Sequence, residues 1–236
     1  SLINLNLSNL NNSKLDIKLE RTSNDGYLKL YSLEDENSII QDTSTLESLI
    51  QFTTDKNNLT FKASFEAYET LGQLNSNRYE FVYPNYSLQK SLKIDNNFFK
   101  NLDFTSYGNQ RTHTTNIKEA VQINDLILSS STGVFGIGIE KNFSTLIKNV
   151  NSKGSNSSKF KKSGQSEILS ILSYDLSLPL KKDEEKFYKY LTPKISFKHS
   201  PNETKNIKSN KHFLNSSNIF NLNRIGNNES IEGGSS

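Results

Sequence analysis

The chain contains no cysteine, no methionine and no tryptophan, and only four prolines in 236 residues. The absence of cysteine excludes disulfides, thiolate metal sites and a cysteine nucleophile within this sequence. No run of about eighteen apolar residues occurs, which excludes a transmembrane helix, and no signal peptide is recognisable. Because the chain has no initiating methionine and starts directly in strand-like sequence, we expect it to be a piece of a longer protein.

Apolar residues are also scarce, at 33% of the chain, and the mean hydropathy is −0.64. Such a bulk composition is typical of disordered proteins. However, aromatic residues make up 10% of the chain, and the apolar residues alternate regularly with polar ones, which indicates a folded protein. The net charge of +3 is too small for a nucleic-acid-binding surface, so we expect no nucleic-acid partner.

The apolar residues recur with a period of two, which predicts β-strands, and not with helical spacing. In residues 58–68 the odd positions are apolar and the even positions are polar: Leu59, Phe61, Ala63, Phe65 and Ala67 alternate with residues that include Lys62 and Glu66. Similar alternation predicts strands at 14–20, 135–147 and 168–180, and weaker strands near 2–7, 46–54, 78–92, 99–107, 120–128 and 186–198. The sequence therefore predicts an all-β protein of about ten strands.

The predicted connections between these strands alternate between short and long. The short ones are 8–13, 55–57, 93–98, 129–133 and 181–186, and the medium or long ones are 21–45, 69–77, 108–119, 148–164 and 199–218. In an up-and-down antiparallel meander, this alternation places the tight turns at one end of the sheet and the long loops at the other. Outer-membrane barrels have this arrangement, with apolar side chains outward and polar side chains inward. We therefore predict a slice of a large transmembrane outer-membrane β-barrel.

Six charged residues occupy polar positions of the predicted strands, and we expect them to face the barrel lumen: Lys14, Asp16, Lys18, Glu20, Lys62 and Glu66. A hydrated lumen tolerates mixed charge, and these side chains are suited to weak contacts with a passing anionic saccharide. Ordinary lumen hydration is the alternative explanation. The lysine-rich stretch 148–162, predicted as a loop, is a candidate for contact with anionic lipid headgroups.

Two predicted strands contain a proline, at Pro84 and Pro193. On either side of each proline every second residue is apolar, but the apolar positions before and after the proline belong to opposite faces of the strand. This change of face predicts an extra residue and hence a β-bulge. The alternative is that each proline begins a strand and that the aromatic residues before it belong to a turn.

No group of residues indicates catalysis, cofactor binding or metal binding, so we expect no enzymatic activity. His113, His199 and His212 all fall in predicted loops, and their spacing differs from that of a zinc site. The glycine-rich segment 133–140 lies in a predicted strand with no helix after it, which argues against a phosphate-binding loop. Gly136 and Gly138 fall on the predicted inward face. The absence of a side chain there either leaves room for a plug or ligand or makes the sheet easier to bend.

Five segments, in this order along the chain, resemble the barrel domain of the lipopolysaccharide (LPS)-assembly outer-membrane protein family (LptD, also called organic solvent tolerance protein, OstA). They are LERTSNDGYLKLYSLE (19–34), RYEFVYPNYSL (78–88), QSEILSILSYDLSLPL (165–180), YLTPKISFKHSP (190–201) and NIFNLNRIGNNESIEGG (218–234). The most specific part is TPKISF…SP followed by F…NRIG…EGG, and SNDxYL is the next most specific. The similarity extends over most of the chain as several modest matches.

This resemblance implies a function in the outer membrane of a Gram-negative bacterium. The family receives LPS from a periplasmic bridge protein of the LptA type and inserts it into the outer leaflet, with a lipoprotein plug of the LptE type inside the barrel. The resemblance implies that residues 1–236 are a central part of the barrel domain, without the amino-terminal jellyroll and without the first and last barrel strands. The family's gate and disulfide residues therefore correspond to no residue of this sequence.

Two alternatives remain open. One is another outer-membrane barrel, such as a porin or a receptor-type transporter. The other is an extended soluble β-sheet domain, such as an adhesin or a carbohydrate-binding domain. The positions of Leu59, Phe61, Phe65, Ile137 and Ile139 distinguish these classes. They point outward together in a barrel, whereas in a sandwich they meet a second sheet about 10 Å away.

Overall fold

The computed structural model describes residues 2–7, 12–30, 44–96, 98–113, 116–184, 187–203, 214–224 and 229–236. Within these ranges the chain is almost entirely β-structure. The strands are β1 (Leu2–Leu7), β2 (Ser13–Lys18), β3 (Thr45–Lys56), β4 (Leu59–Thr70), β5 (Tyr79–Lys93), β6 (Phe99–His113), β7 (Ile117–Ser130), β8 (Gly133–Phe135), β9 (Ile139–Ser155), β10 (Gln165–Ser177), β11 (Leu180–Glu184), β12 (Phe187–Leu191), β13 (Lys194–Ser200) and β14 (Gly234–Ser235). Two single-turn helices, α1 (Tyr27–Leu30) and α2 (Asn75–Arg78), lie between strands.

Twelve strands form one antiparallel sheet, in the order β1-β2-β3-β4-β5-β6-β7-β9-β10-β13-β14, with β8 paired to β9. Strands β11 and β12 form a separate two-stranded sheet. Neighbouring strands in this order are also neighbours along the chain, apart from three inserted short strands: β8 before β9, and β11 and β12 before β13. The prediction of an antiparallel up-and-down meander is therefore confirmed, because alternating strands joined by local connections pair most directly with their sequence neighbours.

The chain packs as two compact units. Unit 1 comprises Ser1–Lys90, Thr105–Ile123 and Asn151–Ser166, and unit 2 comprises Ser91–Phe104, Asn124–Val150 and Glu167–Ser236. Each unit buries few apolar side chains among its described residues. Those of unit 1 are Leu28, Leu46, Val82 and Ile123, and those of unit 2 are Leu146, Val150, Leu169, Ile171 and Ile231.

The strand register in unit 1 separates two chemically different faces. Residues directly opposite each other on paired antiparallel strands share a face. Leu15 pairs with Phe52 and Phe52 with Ala63. We call this side the apolar face, and on β1–β5 it includes Ile3, Leu5, Leu15, Ile17, Ile50, Phe52, Phe61, Ala63, Phe65, Ala67, Phe81, Tyr86 and Leu88. The opposite side, the polar face, includes Asn4, Asn6, Lys14, Asp16, Lys18, Gln51, Thr53, Lys62, Ser64, Glu66, Tyr68, Asn85 and Ser87, with Leu49 and Val82 as apolar members.

The strand predicted at 135–147 is wrong, because the chain reverses inside it. Val134 pairs with Glu140 across a tight hairpin between β8 and β9. Gly136 and Gly138 form the turn with φ values of 59° and 97°, a left-handed conformation that glycine adopts without a side-chain clash. The two glycines therefore belong to a turn and not to the inward face of a strand.

The predicted connections at 108–119 and 148–164 are also too long. Strand β6 continues to His113 and β7 begins at Ile117, so only residues 114–116 separate them. Strand β9 continues to Ser155. The polar composition of 108–113 and 149–155 had suggested loops, but strands of this sheet accept polar side chains on both faces near their ends. The regular alternation of short and long connections fails at β6–β7 for this reason.

Gly108 in β6 is required by close packing, and we predict that Gly108→Ala destabilises the folded chain by about 1–3 kcal/mol. A Cβ at this position would lie 2.6 Å from the Val121 carbonyl oxygen and 3.1 Å from Tyr86 Cε1. Gly164→Ala is the matched control, since a Cβ there meets no atom within 4 Å. Denaturant titration of both variants tests this, and equal midpoints would contradict it.

Candidate functional site

One face of the sheet exposes large apolar side chains, and the opposite face buries polar side chains among apolar ones; we call this arrangement inverted polarity. Several large apolar strand residues are exposed, such as Phe65 at 58% and Ile195 at 71%, whereas polar residues such as Ser64 at 1% and Lys148 at 2% are buried. Other exposed apolar strand residues are Ile3, Leu5, Ile50, Phe81, Leu92, Ile147, Ile168, Leu172, Tyr174 and Phe197. Contiguous apolar surface of this kind marks a membrane or protein contact, because exposing it to water costs about 25 cal/mol per Å².

Unit 2 shows the same inversion between β10 and β13. Tyr174 lies opposite Phe197, and both are exposed. On the other side of the same strand pair, Ser173 lies opposite Lys198, and both are buried together with Leu169 and Ile171 of β10. The inversion is therefore a repeated property of the strands and not a local feature of one hairpin.

The predicted lumen-facing residues lie on or beside the polar face of unit 1. Lys14, Asp16 and Lys18 alternate along β2, and Lys62 and Glu66 are on the matching positions of β4. Glu20 follows β2 directly, and its side chain is only 4% exposed. The structure brings Lys18 and Glu20 into contact, with 2.9 Å between Nζ and Oε1, and it pairs Lys14 with Asp16 at 2.9 Å. Lys62 stays exposed.

A continuous hydrogen-bond network connects these strands. Lys18 Nζ also donates to Glu47 Oε2 at 3.0 Å, and the Glu47 backbone N–H donates to Glu20 Oε2 at 2.8 Å. The Tyr68 hydroxyl donates to Glu66 Oε2 at 2.9 Å and lies 3.4 Å from Glu47 Oε1. We call Lys18, Glu20, Glu47, Glu66 and Tyr68 the carboxylate network. It contains three carboxylates and one ammonium group, which leaves two net negative charges.

This arrangement suits neutral hydroxyl groups better than anions. A carboxylate accepts hydrogen bonds from hydroxyl donors, whereas a phosphate would meet like charge. Glu47, Tyr68 and Asn85 are not among the residues predicted to face the lumen. Asn85 Nδ2 donates to Glu66 Oε1 at 2.8 Å. The signal was present for Tyr68, which continues the even positions of β4, but the pairing of β3 with β4 was needed to place Glu47 beside it.

Unit 2 contains a buried ion pair between β7 and β9. Lys148 Nζ donates to both carboxylate oxygens of Asp125, at 2.6 and 2.7 Å. The prediction that Lys148 lies in a lysine-rich loop is wrong, because β9 continues through it to Ser155. The buried lysine is retained because its charge is matched at close range.

A second buried lysine fastens the carboxy-terminal segment to β13. Lys198 Nζ donates to the carbonyl oxygens of Ile219 and Asn221, at 3.1 and 2.5 Å. In the same segment, Arg224 donates to both oxygens of Glu232, and β14 pairs with β13. This segment therefore covers part of the sheet side that carries Lys198.

The two prolines occupy different environments. Ser64 lies opposite Asn85 and Glu66 lies opposite Val82, so Pro84 and the residue before it both lie opposite a single residue of β4. Pro84 therefore sits in a bulge within β5. Pro193 does not, and the prediction of a bulge there was wrong: β12 ends at Leu191 and β13 begins after the proline. The aromatic residues before Pro193 lie in β12, which pairs with β11 in the same register as β13 with β10, so no extra residue occurs at Pro193.

The histidines also differ from the prediction. His113 is the last residue of β6, with Nε2 3.7 Å from Glu119 Oε2, and His199 lies in β13 with Nδ1 2.8 Å from Ser235 Oγ. Both are strand residues and not loop residues, while His212 lies outside the described residues. Across the described ranges, no three or more His, Asp or Glu side chains are grouped to hold a metal ion.

An ion cluster connects two of the segments that carry the family resemblance. Arg78 donates to both oxygens of Asp25, at 2.9 and 2.6 Å, and to Glu69 at 2.7 Å. The hydrogen bonds from Arg78, together with one from the Gly72 backbone N–H, hold the pKa of Asp25 below its ordinary value of 3.8. The cluster ties the segment after β2 to the connection between β4 and β5.

No model of a known protein family matches the chain, and no curated protein matches it. None of the helices in the described part of the chain has the length and apolar character needed to cross a membrane.

We predict that Asp125→Leu destabilises the chain by about 3 kcal/mol, because the Lys148 ammonium group then stays buried and unpaired. Lys148→Met should cost less, because the Asp125 side chain is 16% exposed and water can reach it. Denaturant titration measures both losses. The double variant should recover most of the loss, since replacing both charges removes the mismatch. Additive losses in the double variant would contradict the assignment.

We predict that the contribution of Asp25 to stability depends on pH. Because its folded-state pKa is lowered, the stabilisation is fully present above the unfolded pKa of 3.8 and is lost as the pH falls through the folded-state pKa. Asp25→Asn should therefore be less stable than the parent chain at pH 7, and the difference should disappear in strong acid. Asp95→Asn, at an exposed carboxylate, is the control. A difference that persists unchanged at pH 2 would contradict this account.

Proposed function

We propose that this chain forms part of an outer-membrane β-barrel, in which the apolar face contacts lipid and the polar face borders a hydrated interior. The inverted polarity of the sheet carries this proposal. In a bilayer the exposed apolar side chains lie in hydrocarbon, and the polar side chains meet water or each other.

The strand lengths support a membrane-crossing role. A tilted strand needs about 9–11 residues to cross the hydrocarbon core. Strands β3 and β4 have 12 residues each, β5 and β6 have 15 each, β7 has 14 and β9 has 17. The longer strands extend beyond the core, where their polar ends are compatible with headgroups and water.

A soluble sandwich is less compatible with these observations. A second sheet would bury Phe65, yet this side chain is exposed, and Ile137 is exposed in a turn. Leu59, Phe61 and Ile139 are half-buried. The other sheet among the described residues has only two strands, β11 and β12, which is too few to cover an eleven-strand path.

Within the barrel class, we propose a role in inserting LPS into the outer leaflet. The resemblance of the five segments supports this role, and it implies the plug lipoprotein and the periplasmic bridge as partners. Pairs of these segments contact each other in the structure. Asp25 and Arg78 belong to two of them and form an ion pair, and Lys198 in a third segment binds carbonyl groups of a fourth. The proposed work is a hydrated path for the saccharide and involves no covalent chemistry.

A porin or a receptor-type barrel is the second candidate. The observation that favours it is the carboxy-terminal segment, because Lys198 holds that segment against the polar side of β13. A segment folded against the inner wall is a means of narrowing a diffusion pore.

Single tryptophans test the membrane assignment, and they are clean probes because the chain has none. We predict that the fluorescence of a Phe65→Trp variant in phospholipid bilayers is quenched by lipids with brominated acyl chains. Lys62→Trp, on the opposite face of the same strand, should be quenched by aqueous iodide and little by the brominated lipids. Strong iodide quenching and no lipid quenching at position 65 would contradict the proposal.

Photo-crosslinking tests the LPS role separately. We predict that a photoreactive residue at position 62, in the protein expressed in Gram-negative cells, captures LPS or the plug lipoprotein. The same residue at position 65 should not capture the plug lipoprotein, since it faces the surrounding lipid. Capture of neither at position 62, together with an open ion conductance, would support the porin instead.

A further inference from the structure

Unit 1 contains a cavity of about 480 Å³ at the ends of β6, β7 and β9, beside the connection 156–164. Its lining combines basic and neutral polar residues: Gln110, Lys118, Glu119, Ala120, Lys153, Gly154, Ser155 and Lys162. The volume falls in the range of about 300–1,000 Å³ that small-molecule sites have. Three of the lining residues are exposed lysines from three separate chain segments.

The described residues do not neutralise the positive charge of this cavity. Among the described residues, Lys118, Lys153 and Lys162 form no ion pair or hydrogen bond with a carboxylate. The single acidic residue of the lining, Glu119, accepts a hydrogen bond from Ser157 Oγ at 2.5 Å and lies beside His113. Three ammonium groups against one engaged carboxylate leave two net positive charges, which favours an anionic ligand.

The connection that forms one wall is held in place by its own hydrogen bonds. The Gly154 backbone N–H donates to the Lys161 carbonyl at 2.8 Å, and this places Lys162 next to β9. A side chain at Gly154 would lie 2.7 Å from the Phe160 carbonyl oxygen, so the close return of the chain requires glycine. Ser157 Oγ accepts hydrogen bonds from the backbone N–H groups of Lys159 and Phe160, both at 3.0 Å. These hydrogen bonds therefore hold Lys162 in the same cavity as Lys153 of β9.

The cavity lies at the strand ends, where its lining combines residues from both faces of the sheet. Arg111 pairs with Glu80, which is on the polar face because it lies opposite Tyr68. Side chains alternate along a strand, so the neighbouring Gln110 points to the other side. Glu119 contacts His113, which has the same parity as Arg111, so Glu119 points to the polar side and Lys118 to the other.

A second cavity of about 290 Å³ adjoins the first, and the two share Ala120 and Lys153. Its lining is rich in amide and hydroxyl groups: Gln122, Asn151, Ser152 and Gln165. Amides both donate and accept hydrogen bonds, as saccharide hydroxyl groups require. A basic cavity next to an amide-lined cavity matches a saccharide that carries phosphate.

We infer that the lysine cavity binds a phosphate ester of a saccharide, with the phosphate at Lys118, Lys153 and Lys162 and the sugar toward Gln122 and Gln165. Lysine ammonium groups bind phosphate oxygens through charge-assisted hydrogen bonds. The sugar phosphate is either the headgroup of an anionic glycolipid in the outer leaflet or a free sugar phosphate. The lipid source rests on the proposed membrane location, whereas the phosphate chemistry does not.

Isothermal titration of the full chain in detergent micelles tests this inference. The probes are glucose 1,6-bisphosphate, bisphosphorylated lipid A, and lipid A without its phosphates. The site variant is Lys118→Gln, Lys153→Gln and Lys162→Gln together. The control variant is Lys56→Gln, Lys93→Gln and Lys100→Gln together, which removes the same charge from exposed lysines elsewhere.

We expect the site variant to bind the phosphorylated lipid at least about tenfold more weakly, and the control variant to bind it as the parent chain does. Binding should also weaken as salt is added, because exposed charges are screened. Comparable binding of glucose 1,6-bisphosphate identifies the free sugar phosphate as a ligand, whereas binding of the lipid alone identifies the headgroup.

Equal losses in both triple variants, no loss in either, or equal binding of the lipid without phosphates would each overturn the inference. These outcomes are distinct from failure of the proposed function. That failure appears as a tryptophan at position 65 that lipid does not quench, whatever the lysine cavity binds.

Discussion

Backbone pairing between neighbouring strands is the interaction on which the rest of the structure depends. Because each inner strand satisfies its N–H and C=O groups through its neighbours, the two faces of the sheet are free to carry opposite chemistry. The register then decides which side chains meet, so that Phe52 faces Ala63 on one side while Gln51 faces Ser64 on the other. A shift of one residue would move every apolar side chain to the other face. The fold thus depends less on a large apolar core than on correct pairing.

Charge on the polar face is organised by the same pairing. Lys18, Glu47 and Glu66 come from three adjacent strands, and they meet only because β2, β3 and β4 are in this register. Their excess of carboxylates favours hydroxyl donors, whereas the lysine cavity, with its excess of ammonium groups, favours anions.

The regular alternation of apolar and polar residues made most strands predictable, whereas the turns within them and the partners of buried charged residues were not predictable from the sequence. The alternation in residues 58–68 predicted β4 and both of its faces correctly. Successive side chains of a strand point to opposite faces, so alternating apolar and polar residues form one apolar face and one polar face. The polar run 108–113 was assigned to a loop because polar residues are also typical of loops. Gly136 and Gly138 interrupt an apolar alternation with a turn that only backbone conformation reveals. The partners of Lys148 and Lys198 depend on contacts between distant segments, which a single sequence does not specify.

The orientation of β4 in a bilayer tests the central claim most directly. Because the chain has no cysteine, residues 59–68 can be replaced one at a time by cysteine and labelled with a nitroxide. Electron spin resonance then compares collisions with oxygen, which dissolves in lipid, and with a nickel chelate, which stays in water. The account predicts an alternation of period two, with oxygen dominant at Phe61, Ala63, Phe65 and Ala67. Equal nickel access at odd and even positions, or an alternation of the opposite sense, would contradict it.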